Sequence, residues 1–169
     1  MQVKVRWARE VDFEEIRALD QLCMPLDERV DLKDVDSHAW WVVRNQDSIA
    51  VAFAGCHIID DGALQICLLS RAGVMPQARG RGIQKKLLKA RIRWARDQGC
   101  DQVWTYTAHY NIASSNSLIS SGFKLWRPYS WSGSTDVMST ENDTAWLYWH
   151  LPVEPTERGK QKRLSRTEE

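Results

Sequence analysis

The chain has 169 residues, 43% of them hydrophobic and 27% charged, with 23 Lys and Arg against 22 Asp and Glu. That length fits one domain able to bury a core of its own. A formal net charge of +1 excludes a globally basic nucleic-acid binder and a strongly acidic disordered chain. No apolar run approaches the roughly 18 residues of a membrane span, and the opening MQVKVRWARE holds no apolar signal segment, so the sequence reads as cytoplasmic. Cys23, Cys56, Cys67 and Cys100 lie far apart with no CxxC pair, which reads as reduced, buried thiols and no metal site. Nine tryptophans are first of all core, with a few available to line a ligand cleft.

Val3 to Trp7 alternates apolar and polar residues and is expected as a first strand. Asp12 is placed to cap a helix running to about Leu22, with Ile16 and Leu19 inward and Glu14 and Glu15 in its first turn. Residues 24–38 are polar and irregular and read as a loop with room for a short helix. Ala39–Arg44 and Ile49–Ile59 are expected strands joined by the turn-forming Asn-Gln-Asp-Ser. Asp60-Asp61-Gly62 marks another turn, and Leu64–Val74 the next strand. The period then becomes helical: Ile83, Leu87, Ala90 and Trp94 form one stripe, widened by Leu88, Ile92 and Ala95, with Gly99 as a left-handed stop. Gln102–Thr107 reads as a strand and Ile112–Ser121 as a second helix closed by Gly122. Phe123–Trp126 and Ala145–His150 are late strands around a polar loop, 128–144. Residues 152–169 offer little to bury and are expected as a charged, mobile C-terminal tail after a domain spanning 1–151. Strands on both sides of two central helices make the fold α+β, or mixed α/β.

The net charge hides an asymmetry. Residues 79–96 hold eight basic residues and no acidic one, whereas the remainder carries 15 basic against 22 acidic. One positive element on an otherwise negative chain suits a small polyanion better than a long nucleic acid. Most of these charges still read as a solvated helix face.

Gly80 and Gly82 fall where a strand turns into that basic helix. Without a Cβ they let backbone N–H groups approach an anion, and the first turn of the helix adds free N–H groups and a partial positive charge. Arg79 and Arg81 add side-chain donors. The segment is neither a P-loop nor a full GxGxxG fingerprint.

Here the sequence resembles the GCN5-related N-acetyltransferase (GNAT) superfamily, whose signature Q/R-x-x-G-x-G/A lies between a strand ending V-x-P and a helix of I-x-x-x-L-L type. Val74-Met75-Pro76 and Ile83 to Leu88 supply those flanks. Gln77–Gly82 satisfies the literal pattern, while Arg79–Gln84 better matches the flanking spacing, with Gln84 where Gly or Ala is usual. Asn111 to Phe123 resembles a second family segment, N-x-x-A/S-x(7)-G-F, in the correct order. The resemblance covers about residues 3–150.

It implies a central, mostly antiparallel twisted sheet flanked by helices, and acetyl-CoA as co-substrate. The pantetheine arm would pair with the backbone of Ala72, Gly73 and Val74. The pyrophosphate would sit over Gly80, Arg81, Gly82, Ile83, Gln84 and Lys85, with Arg79 beside it, and Asn111 would contact the cofactor arm. Asn111 reads equally as a helix N-cap. The family's chemistry is attack of a neutral amine on the thioester, with a base for the amine and an acid for the thiolate. Many members place a tyrosine acid seven residues after the asparagine, where this chain has Leu118. Tyr106 and Tyr110 flank the same strand end as replacement acids, and the base candidates are His109, which lies two residues before Asn111, with His57, Asp60 and Asp61. The acceptor would meet residues 20–40, with acids at Asp27, Glu28, Asp31, Asp34 and Asp36, and the late loop with Trp126, Tyr129 and Trp131.

Three functions remain open on the sequence. The chain is expected as an N-acetyltransferase acting on a primary amine of a small molecule or protein; the resemblance allows a homodimer. The missing acid admits a catalytically impaired acyl-CoA-binding module. Nucleic-acid binding through residues 79–96 and Arg158–Arg166 is disfavoured, because the helix start is already committed to phosphate and acids nearly cancel the tail's charge.

Overall fold

The computed structural model describes residues 3–24, 39–60, 62–126 and 146–167. Among the described residues seven strands and three helices form in the expected chain order, followed by a fourth helix: β1 (Lys4–Trp7), α1 (Phe13–Cys23), β2 (Ala39–Arg44), β3 (Ala50–Asp60), β4 (Gln65–Val74), α2 (Ile83–Gln98), β5 (Gln102–Ala108), α3 (Ile112–Ile119), β6 (Lys124–Trp126), β7 (Trp146–Pro152) and α4 (Glu157–Thr167). The strand order in the sheet is β1-β2-β3-β4-β5-β7-β6. β1 with β2, β2 with β3, β5 with β7 and β6 with β7 are antiparallel, whereas β4 and β5 are parallel. The mixed, mostly antiparallel sheet flanked by helices is thus as expected. No helix among the described residues is long and apolar enough to cross a membrane.

Internal contacts divide the chain into two compact units: Met1–Ile58 with Leu69–Trp94, and Ile59–Leu68 with Ala95–Glu169. In the first, α1 lays Ile16 and Leu19 on Trp40, Val42 and Phe53 of β2 and β3. Trp41 of the next β2 position packs with Trp7 and with Trp94 of α2, ring centroids 5.1 and 6.1 Å away. The alternation along β2 therefore feeds two faces, as a buried strand requires.

Asp12 does not cap α1. Its carboxylate is buried and receives Arg6 Nη1 at 2.9 Å, Arg44 Nη2 at 2.8 Å and the Arg9 N–H at 2.8 Å. Burial alone would raise its pKa; the bonds from Arg6, Arg9 and Arg44 outweigh it and hold the carboxyl well below the usual carboxylate range.

In the second unit, β5 and β7 pair over seven residues, from Gln102↔Pro152 to Ala108↔Trp146. Ile66, Leu68 and Trp104 are buried together, with Trp126 against them. The expectation of a mobile tail is corrected over Glu157–Thr167, which is a helix. Thr156 caps it, its Oγ1 accepting the Gly159 N–H at 3.2 Å. Gly159 presses on the end of α2, where a Cβ would stand 2.2 Å from Arg96 O and 2.8 Å from Gly99 N. What orders the segment is close backbone packing and polar bonding, not the apolar side chains it lacks.

Candidate active site

β4 ends where the Met75 N–H donates to Val51 O at 2.9 Å, fixing the point from which the turn departs. Pro76–Ala78 forms one 3-10 turn, with Ala78 buried. Gly80 and Gly82 then take φ of +73° and +68°, a region other residues enter at a cost. A Cβ at either glycine would meet nothing within 4 Å, so no packing requires glycine there. Ile83 and Leu87 are buried and seat the start of α2. The first helical bond runs from the Lys86 N–H to Gly82 O at 3.1 Å. The N–H groups of Gly82, Ile83, Gln84 and Lys85 precede it and have no helical acceptor. Arg79 is exposed, its Nε held by Val74 O at 3.1 Å, and Arg81 and Lys85 are exposed too. With no acid between residues 79 and 96, this turn at the positive end of α2 suits a phosphate-bearing anion.

The strand leading into it is fastened from α1. Asp20, fully buried, takes Arg71 Nε at 2.7 Å and Nη2 at 3.0 Å. A Cβ on Gly73 would stand 2.6 Å from Phe53 Cε1 and 2.7 Å from Cys23 Cβ, so glycine here answers close approach by β3 and α1. Burial pushes the Cys23 thiol pKa up, against the opposing pull of Arg79. Ala72, Gly73 and Val74 therefore run directly into the Arg79–Lys85 turn within one unit. The β4–β5 ladder covers only Ile66–Leu68 and Gln102–Trp104, so Ala72–Val74 lie beyond its register.

In the second unit, β5 delivers the other candidates. His109 and Tyr110 form the exposed turn after Ala108, with ring centroids 5.4 Å apart, and Tyr110 is 61% exposed. Tyr106 is half-buried on β5 opposite Tyr148. Asn111 caps α3, its Oδ1 accepting the Ser114 N–H at 3.1 Å. Leu118 faces inward and is buried, so the position of the usual tyrosine acid belongs to the core. Thr107 and Ser115, which the sequence reading passed over, are both buried. Trp149 Nε1 donates to Thr107 Oγ1 at 2.9 Å, and Ser115 Oγ lies 3.5 Å from that hydroxyl, fastening α3 to β5 and β7. Strand alternation marks Thr107 as inward, but nothing local announces its partners.

His57 is buried on β3, and Asp60 is a turn residue whose Oδ1 accepts the Gly62 N–H at 2.9 Å. Trp126 stacks against Trp104 at 4.4 Å and His150 at 5.9 Å. Asp61, the acids at positions 27, 28, 31, 34 and 36, Tyr129 and Trp131 lie outside the described residues. Among the described residues no group of three His, Cys, Asp or Glu is arranged to hold a metal.

A seven-stranded mixed sheet, with a glycine turn leading into a basic helix, defines the chain as a mixed α/β protein. Its family follows from the sequence match over residues 5–123: the chain belongs to the acetyltransferase (GNAT) family. No curated protein matches it. Solved structures share its fold. The ribosomal-protein-S18-alanine N-acetyltransferase from Escherichia coli is 16% identical, with a TM-score of 0.68 over 92% of this chain and 96% of that one. A GNAT acetyltransferase from Staphylococcus aureus is 16% identical, with a TM-score of 0.70 over 90% and 100%. An Arabidopsis thaliana protein in complex with the bisubstrate analogue CoA-Ac-MVNAL is 14% identical, with a TM-score of 0.70 over 90% and 100%.

Proposed function

We propose that this chain is an acetyl-CoA-dependent N-acetyltransferase that acetylates a primary amine of a small molecule or protein. The observation that carries the reading is the open Gly80–Gly82 turn, whose positive φ angles have no packing reason. The relative bound to a CoA-containing bisubstrate analogue supports CoA as the ligand. In this reading the N–H groups of Gly82 to Lys85 bind the pyrophosphate, and Arg79, Arg81 and Lys85 neutralise it. The backbone of Ala72, Gly73 and Val74 holds the pantetheine arm, and Asn111 meets that arm with the amide nitrogen its cap leaves over.

Acetyl-CoA supplies an acetyl group activated as a thioester. An N–C bond forms as the C–S bond breaks; the amine sheds a proton and the departing sulfur takes one. Leu118 supplies no acid, so in this reading Tyr106 or Tyr110 protonates the departing sulfur and His109 takes the proton of the amine. The chain then works in the cytoplasm.

A second reading has one observation in its favour: the buried Leu118 at the acid position fits an acyl-CoA-binding module without turnover. Thiol release from acetyl-CoA across an amine panel, run beside thermal shift with CoA, separates the two. Shift with turnover supports the enzyme, shift without turnover on any amine supports the module, and no shift overturns both. His109→Gln and one of the two variants Tyr106→Phe and Tyr110→Phe each lower kcat by about 100-fold or more while the CoA shift is retained.

A further inference from the structure

Asp101 gathers the ends of three strands and a helix onto one residue. Its Oδ2 accepts the N–H of Gln65, the first residue of β4, at 2.9 Å and Arg163 Nη1 of α4 at 2.7 Å. Its own N–H donates to Gln65 O at 2.8 Å, and its carbonyl accepts the Val153 N–H, just past β7, at 2.9 Å. α4 is fastened again at the end of α2. The Thr156 N–H donates to Arg96 O at 3.1 Å, and Lys162 and Arg166 both donate to Gln98 Oε1, at 3.4 and 3.0 Å.

The β4–β5 ladder begins at the next residue, Ile66↔Gln102, and ends at Leu68↔Trp104. Three parallel pairs have little hold of their own. Asp101 anchors the first residue of β4 beside β5, while Asp20 and Val51 hold its other end. The same strand runs on to Ala72–Val74 and the glycine turn. The Arg163 and Asp101 side chains are 34% and 28% exposed, so solvent partly screens the pair.

We infer that Arg163 and Asp101 are positioning residues for acetyl-CoA. α4 clamps the origin of β4 in register on β5, and loss of the clamp weakens CoA binding although no residue of α4 belongs to the proposed site. The inference rests on the acetyltransferase reading. It gives a role to a helix that lies beyond the family match.

The test is calorimetric titration of CoA into the full chain carrying Arg163→Gln, Arg163→Lys, Asp101→Asn, or Arg163→Gln with Asp101→Asn. The dissociation constant rises about five- to tenfold for Arg163→Gln and for Asp101→Asn. The double variant goes no further than either single one, because both break the same link. Arg163→Lys, which keeps a cation on the carboxylate, recovers most of the affinity. A merely structural helix would lower the melting temperature of these variants and leave CoA affinity unchanged. Amide hydrogen exchange on the unaltered chain decides the matter even if a variant fails to fold. Coupling is reciprocal, so saturating CoA slows exchange in Ile66–Leu68 and in α4 from Gly159 onward. Equal affinities in Arg163→Gln and the unaltered chain, or exchange in α4 indifferent to CoA, overturn the clamp alone. An unaltered chain that binds no CoA overturns the acetyltransferase reading and the clamp with it.

Discussion

Helix α2 has glycines beyond both ends, and they work in opposite ways. Before its start, Gly80 and Gly82 take positive φ with nothing within 4 Å of where a Cβ would stand. Past its end, Gly99 also takes positive φ, but its Cβ would lie 2.6 Å from Gly159 O. The first pair keeps space open; the second removes the space between two backbones. Backbone angle does not separate the two uses, and the surroundings do. At Gly99 close neighbours as well as the backbone angle demand glycine, whereas at Gly80 and Gly82 the backbone angle alone does.

Gly159→Leu breaks the filled end. Its side chain has no room against Arg96 O, so α4 undocks and unfolding free energy falls by about 3–5 kcal/mol, read by urea denaturation. An unchanged midpoint would place α4 elsewhere.

Asp12 carries the same contrast into charge, as a buried carboxylate serving the fold alone. Asp12→Asn leaves Arg6 and Arg44 short of their partner and costs about 3 kcal/mol at neutral pH. Because the folded-state pKa is lowered, Asp12's contribution is complete above the unfolded value near 4 and is lost as pH falls below it. Denaturation at pH 7 and at pH 3 therefore shows a shallower acid loss in the variant than in the unaltered chain.

Gly82→Asp tests the open end. Its own stability falls by about 1–2 kcal/mol, the cost of a left-handed residue with room around it. The stabilisation by CoA, about 2.7 kcal/mol at a hundredfold excess over Kd, disappears because a carboxylate occupies the phosphate position. A folded variant with the full CoA shift would show that the turn is misassigned.

Asn111→Ala has the smallest effect on stability, about 1 kcal/mol for a lost cap, by thermal denaturation. A parallel weakening of CoA affinity assigns the residue to both tasks; unaltered affinity assigns it to the fold.

Much of this was legible because it is local. Period-2 and helical stripes place β1 to β7 and α1 to α3 within a residue or two, and the glycine turn announces itself between a strand and a basic helix. What escaped depends on distant partners. Asp12 stands where a cap belongs, but Arg44, 32 residues on, claims its carboxylate. Gly73 is required by the close approach of Phe53 and Cys23, both distant from it in sequence. α4 was missed because hydropathy counts apolar side chains, and this helix is held through a bare backbone at Gly159 and through Arg163 on Asp101. The proton-transfer groups are legible only as a short list, since Leu118 removes the position that would have named one.

The second compact unit is discontinuous, joining Ile59–Leu68 to residues that begin only at Ala95. Synthesis runs in one direction, so the first unit is complete once Trp94 has been added. Ile66 and Leu68, however, pack with Trp104 and Trp126, and Gln65 waits for Asp101 and Arg163. At about 5–20 residues per second, that interval lasts several seconds. During it a nascent chain presents β4 with its β5 edge unpaired, the kind of edge that chaperones shield and that neighbouring polysome products capture. The order in which the residues are made thus leaves this protein most vulnerable before its last helix exists.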